Sequence, residues 1–216
     1  GALLVMDRSL IRESPRVKRA NGQLREGFRY VWSVQELRVP MVILGVIGMF
    51  TLEFRVTLPL FAERSLSGTL NTFTLLYSSM SVGSVLGALA IARRRDVDAS
   101  FLARASLALG TSLVVLALAP NLLVAVVVVV PVGASAVMLV SGTKSTVQLR
   151  ARTEMRGRAL SLIDVVYTGG LPIGGLIVGA VSESYGARTG IMLGAIAAVG
   201  TGLWVLSQLA RPVRGR

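Results

Sequence analysis

Two ionisable residues interrupt an apolar run at residues 40–62 that is long enough to cross a membrane: Glu53 and Arg55. A charge at membrane depth costs at least about 2.5–3.5 kcal/mol, so it persists where it faces water, a partner or a ligand. Residues two apart diverge by about 200° around a helix, so these two are poor partners for each other. On one reading Glu53 is a proton carrier or a cation-binding carboxylate. Arg55 is then an anion contact, or a charge that lowers the pKa of Glu53. On the other, both lie near the outer surface and Arg55 snorkels. A second set sits elsewhere in the chain. Asp164 is followed at i+3 and i+4 by Tyr167 and Thr168, on one helix face. Lys144 and Gln148 are also four apart. An Asp164–Lys144 contact would be a gate at the inner end of the helices, or a static interhelical ion pair. Arg156 and Arg158 are alternative partners for Asp164. Tyr77, with Ser78, Ser79, Ser81 and Ser84, marks a third polar stretch.

These residues do not make an enzyme site. The 216 residues include no Cys and no His, which removes disulfides, zinc sites of the usual type and triads with a His base. No phosphate loop, metal cluster or nucleophile elbow is present, and no cofactor is implied. The chain carries 23 basic and 11 acidic residues, a net charge of +12. Nothing pairs a basic face with base-stacking aromatics, so nucleic acid is not an expected partner.

The elements that must position these groups are membrane helices. The chain is 53% hydrophobic and 16% charged, with mean hydropathy +0.68, too apolar for one soluble core of this size. A span needs about 20 mostly apolar residues. Six windows qualify: 40–62, 72–92, 101–119, 122–143, 159–181 and 190–210. The valine-rich run 122–130 could be a buried strand, but the length of its segment favours helix. Only Pro120 and Asn121 separate the third span from the fourth. Before the spans, residues 7–38 form a basic loop, and Leu24–Trp32 within it is an amphipathic helix. That helix lies on the membrane with Tyr30 and Trp32 at the interface, or is a solvated linker. Residues 1–6 resemble the end of an earlier apolar helix, so the chain reads as a piece of a longer protein. Residues 39–210 are the bundle and 211–216 a tail.

Arginine and lysine set the topology. With six spans, both ends share one side, which holds twenty basic residues against two on the other (Arg64 and Arg188). The basic side faces the cytoplasm and its anionic lipid. The first, second, fourth and fifth spans carry the polar residues and should face an aqueous cavity; the third and sixth should face lipid. Gly83 and Gly87, Gly170 and Gly174, and Gly175 and Gly179 are small-xxx-small pairs that allow close helix approach. Pro131 and Pro172 remove hydrogen bonds and kink the fourth and fifth spans, as a moving gate requires, or simply as packing allows.

Three stretches resemble the C-terminal half of a major facilitator superfamily transporter and are similar to the enterobactin-exporter-like and macrolide-efflux-like branch. The first is Leu24-Arg25-Glu26-Gly27-Phe28-Arg29-Tyr30-Val31-Trp32 leading to Glu36-Leu37-Arg38. The second is Val56-Thr57-Leu58-Pro59-Leu60-Phe61-Ala62. The third is Met155-Arg156-Gly157-Arg158-Ala159-Leu160-Ser161-Leu162, followed by the glycine-rich 169–175 and Tyr185-Gly186-Ala187-Arg188. The resemblance implies that the six spans are the seventh to twelfth of twelve and that spans one, two, four and five line the cavity. Residues 87–95 are similar to the family's cytoplasmic loop motif, with Ile91 where an acid would stand. The branch usually lacks an acid at the position of Glu53.

The expectation is therefore an all-α membrane protein, the C-terminal half of a twelve-helix fold in a bacterial plasma membrane. It would export a small molecule, drug-like or siderophore-like, as a proton antiporter by alternating access. Its partners would be membrane lipid, protons, the substrate and an N-terminal six-helix half. Two rivals carry the same residues: a half-size scaffold without transport, and a half-transporter that dimerises.

Overall fold

A computed structural model describes residues 23–66, 68–94 and 96–210. The expected tail 1–6, residues 7–22 of the basic loop and the tail 211–216 lie outside the described residues. Eight helices and no strand occur among those described: α1 (Gln23–Ser33), α2 (Gln35–Phe50), α3 (Phe54–Leu66), α4 (Leu70–Ala92), α5 (Ala99–Ala117), α6 (Leu122–Arg150), α7 (Thr153–Tyr185) and α8 (Ala187–Ala210). The valine run at 122–130 is the start of α6. Its β-branched residues favour strands in water, but in lipid a helix satisfies every backbone group within its own segment.

Local chemistry sets the helix ends. Asp98 caps α5, its carboxylate accepting from Phe101 N at 2.9 Å, and Asn121 caps α6 by accepting from Val124 N at 3.0 Å. Thr69 and Thr72 form a reciprocal capping box at the start of α4. Gly186 alone separates α7 from α8, at φ +94°, where a side chain would be strained.

Five helices, α4 to α8, are long and apolar enough to cross a membrane. The first expected span is different. It is not continuous over 40–62 but breaks at residues 51–53, between α2 and α3. The 16 residues of α2 reach only about 24 Å at 1.5 Å each, short of a hydrocarbon core of about 30 Å. α3 continues the same path along α7. Contacts with α7 advance in step along both halves: Gly45 beside Val166, Gly48 beside Tyr167, Met49 beside Gly170 and Gly174, Glu53 beside Gly175, and Val56 beside Gly179. The break has a tertiary cause. The buried Thr51 hydroxyl donates to Gly194 O on α8 at 2.9 Å, and the Met49 carbonyl presses onto the bare face of Gly174.

The expected kinks are not breaks. α6 runs on through Pro131, and α7 through Pro172 and the glycines around it. Both helices also extend beyond their apolar windows at the basic end of the bundle, where polar residues continue the helix outside the span.

Three helix pairs build the bundle. α2 with α3 runs parallel to α7, α4 runs parallel to α6, and α5 runs antiparallel to α8. Gly83 and Gly87 lie directly on the carbonyls of Val130 and Ala134, so the α4 and α6 backbones touch. Gly174 does the same for α7. Gly170, Gly175 and Gly179 stand at ordinary contact distance, where a methyl group would fit. Ser106 joins the third pair, its hydroxyl donating to Ala198 O at 2.7 Å. Burial is uneven. Half of the apolar window of α5 and 44% of that of α8 are buried, against 22% for α4 and 17% for α7. α4 and α7 thus present the barest faces, while α6, at 39%, is close to α8 in burial. α5 and α8 pack on each other and turn only their outer sides, such as Val115 and Leu203, outward.

α1 leaves α2 at an angle of 109°. Its buried Val31 joins Leu37, Leu162 and Ile163 in a small core at the basic end. Tyr30 does not sit on the outer stripe with Trp32, as the sequence suggested. It turns inward, and its hydroxyl accepts from Arg152 N at 3.0 Å.

Candidate functional site

The break at 51–53 opens onto a cleft of about 230 Å³. Leu52 and Phe54 form one wall, Met80 and Ser84 of α4 a second, Gly133, Ala136, Val137, Val140 and Ser141 of α6 a third, and Tyr167 of α7 a fourth. The first, second, fourth and fifth spans therefore meet here, the four that carry the polar residues. The lining is mainly apolar. Ser84 is already engaged, donating to Met80 O at 3.0 Å, and Ser141 and Tyr167 supply the other polar atoms.

Glu53 lies between two cleft residues and is half-buried. Its carboxyl group packs along Gly175 of α7, where a Cβ would lie 3.7 Å from Oε2. Its carbonyl accepts from the amides of Val56 and Thr57, each at 3.1 Å, and from the Thr57 hydroxyl at 3.0 Å. The break thus makes Glu53 the residue that starts α3. A carboxylate at a helix N-terminus faces the positive end of the helix dipole, which favours negative charge there. Arg55 belongs to the first turn of α3, and its side chain lies outside the described residues.

Of the partners open to Asp164, the structure brings Lys144 to it. Lys144 Nζ lies 2.7 Å from Asp164 Oδ1, joining α6 to α7 at the basic end of the cleft. Tyr167, one turn beyond Asp164, places its ring centroid 6.0 Å from the same Nζ. The ring also packs on Gly48 of α2, so Tyr167 stands between the ion pair and the cleft. Gln148 and Arg156 are exposed, and Arg158 turns its guanidinium toward Met155 Sδ at 3.7 Å. Tyr77 packs on Phe73, ring centroids 5.7 Å apart, away from the cleft lining.

Two arginines that the sequence marks as topology charges, Arg188 also within a family-like stretch, tie elements together. Arg150 lies 3.9 Å from both Glu36 and Asp96, linking the end of α6 to the start of α2 and to the α4–α5 connection. Arg188 donates to the carbonyls of Ala117 at 3.0 Å and Ala119 at 2.8 Å, capping α5 from the start of α8. Both rest on partners 50 or more residues away, which no local pattern signals.

A larger cavity of about 420 Å³ lies at the basic end, between the start of α2, the α4–α5 connection, α6 and the end of α8. Its floor is apolar and its charges, Glu36, Asp98 and Arg150, stand outside the membrane-spanning segments. The smaller cleft is the better candidate, because it lies within the membrane-spanning helices, with Glu53 beside it and the Lys144–Asp164 pair behind Tyr167. Among the described residues no three potential ligands could hold a metal ion.

No curated protein matches the chain. The family described as transmembrane secretion effector matches it over residues 1–213, nearly its whole length. With five helices long and apolar enough to cross a membrane, a helical bundle and that match, the chain belongs to the transmembrane secretion effector family of the major facilitator superfamily and is a multi-pass membrane transporter protein.

Proposed function

We propose that the chain is the C-terminal half of a proton-coupled exporter in a bacterial plasma membrane, with both ends cytoplasmic. The substrate, a drug-like or siderophore-like small molecule, binds between this half and an N-terminal six-helix half that covers the bare faces of α4 and α7. The observation that carries the reading is the helix break at 51–53, which sets one carboxylate, Glu53, beside an apolar cleft. A carboxylate in that setting binds a proton or a cationic group and releases it when the cleft changes the side it opens to. The Lys144–Asp164 pair is the cytoplasmic latch, with Tyr167 behind it. The twenty-to-two distribution of basic residues supports the orientation. No enzymatic step is proposed.

Glu53→Gln keeps the shape and removes the charge. In everted vesicles holding the whole transporter, this variant should insert normally and lose export coupled to proton movement, read by substrate uptake and an internal pH dye. Export and proton movement at the native rate would remove Glu53 from the mechanism. The bare faces of α4 and α7 would also fit a second copy of the chain. A stable dimer in detergent that transports without any further chain would favour that arrangement.

A further inference from the structure

One exposed face is used by none of this. On α1, Arg25, Phe28, Arg29 and Trp32 recur at i, i+3, i+4 and i+7, which places them on a single stripe. All four are exposed, Phe28 at 47% and Trp32 at 49%. The two rings stack on each other, centroids 5.6 Å apart and planes 12° apart. The stripe is held outward. On the other side of the helix Val31 is fully buried, a Cβ on Gly27 would lie 3.7 Å from Arg158 Cβ, and Tyr30 is anchored to Arg152.

The position selects the partner. α1 turns away from α2 by 109°, so where α2 crosses the bilayer α1 lies close to the plane of its surface. Arginine, phenylalanine and tryptophan also suit a protein interface, so composition does not choose the partner and position does. Here two guanidinium groups alternate with the two rings along one stripe at the end of the bundle that holds most of the basic residues. Aromatic rings at headgroup level beside arginines on an in-plane helix suit an anionic lipid surface.

We propose that α1 is a lipid-docked strap: the Arg25–Phe28–Arg29–Trp32 face binds anionic phospholipid of the leaflet at the basic end of the bundle. The arginines take headgroup phosphates, and the rings sit at the boundary between headgroups and acyl chains. The strap holds the α6–α7 connection in place through Tyr30 and Arg152. The inference needs α2 to cross a membrane, and it is independent of proton coupling and of the substrate.

The chain has two tryptophans, Trp32 and Trp204. The test uses the full chain with Trp204→Phe, reconstituted in nanodiscs of phosphatidylcholine with and without phosphatidylglycerol. Trp32 emission should be quenched by lipids brominated near the headgroup and shielded from aqueous iodide, more strongly with the anionic lipid. Arg25→Gln and Arg29→Gln should each raise the phosphatidylglycerol requirement by about fivefold, the equivalent of about 1 kcal/mol for each basic residue at the surface. Full iodide quenching would show a solvated face and overturn the proposal. Shielding from both quenchers would show a protein cover and overturn it equally. Because no substrate enters the assay, its result is separate from the transport reading.

Discussion

Replacing Asp164 by Asn should loosen the closed inner end of the cleft by a small factor that the structure sets. Lys144 Nζ and Asp164 Oδ1 lie 2.7 Å apart. At that distance two unit charges attract by about 1.5 kcal/mol in water and about 6 kcal/mol at an effective dielectric of 20. The side chains are 37% and 53% exposed, which places the pair nearer the water limit. Ordering two flexible side chains removes part of that, leaving about 0.5–1 kcal/mol net. A difference of that size shifts an equilibrium by about two- to fivefold. If the pair exists only while the basic end is closed, its loss raises the population open at that end by this factor. The chain has no cysteine, so Ser141→Cys in the cleft is a unique thiol. Maleimide labelling from the basic side should run about two- to fivefold faster with Asp164→Asn or Lys144→Gln. The exchanged pair, Lys144→Asp with Asp164→Lys, should return the rate toward the native value. The reasoning is refuted if all variants label at one rate, which would make the pair a static tie.

Packing gives the next test. Gly83→Ala drives a methyl group into the Val130 carbonyl and should cost about 1–3 kcal/mol, seen as a lower melting temperature in detergent. Gly169→Ala meets nothing within 4 Å and should be neutral or slightly stabilising. Arg188→Met leaves two buried carbonyls, Ala117 and Ala119, without their donor, for an expected loss of about 1–3 kcal/mol in the same assay. At Asp98 the Ser100 hydroxyl, then the Phe101 amide, hold the carboxyl below its ordinary range. A depressed folded pKa means the cap contributes fully above the unfolded value of about 3.9 and is lost as pH falls through the folded one. Asp98→Asn keeps the acceptor, so it should flatten the acid-side fall in melting temperature and change little at neutral pH.

Much of this architecture was legible in the sequence because lipid imposes a length. Apolar windows located the five long spanning helices, while the charges left Lys144, Arg156 and Arg158 all open as partners of Asp164, and the fold chose Lys144. The break at 51–53 left no local sign beyond the charges of Glu53 and Arg55 beside it. Thr51, Leu52 and Glu53 include neither glycine nor proline, and the interruption is made by Gly194 and Gly174 on other helices. The prolines that did draw attention, Pro131 and Pro172, sit in helices that continue through them. Tyr30 faces inward because of an amide 122 residues away, and Tyr77 leaves the cleft for Phe73. Composition marks which residues are polar; which of them share a space depends on helix rotation, and tertiary contacts set that.

The central claim is that the cleft between α2/α3, α4, α6 and α7 is the water-filled path of an alternating transporter. The direct measurement is one-sided labelling of single cysteines at Leu52, Ser84 and Ser141, with Val115 and Leu203 as outer-face controls, in right-side-out and everted vesicles. The account predicts that the three cleft positions react with a membrane-impermeant maleimide from one side at a time and change side when a proton gradient is applied. Val115 and Leu203 should stay unreactive from either side. Cleft positions as unreactive as the controls, or reactive from one side whatever the gradient, would contradict it.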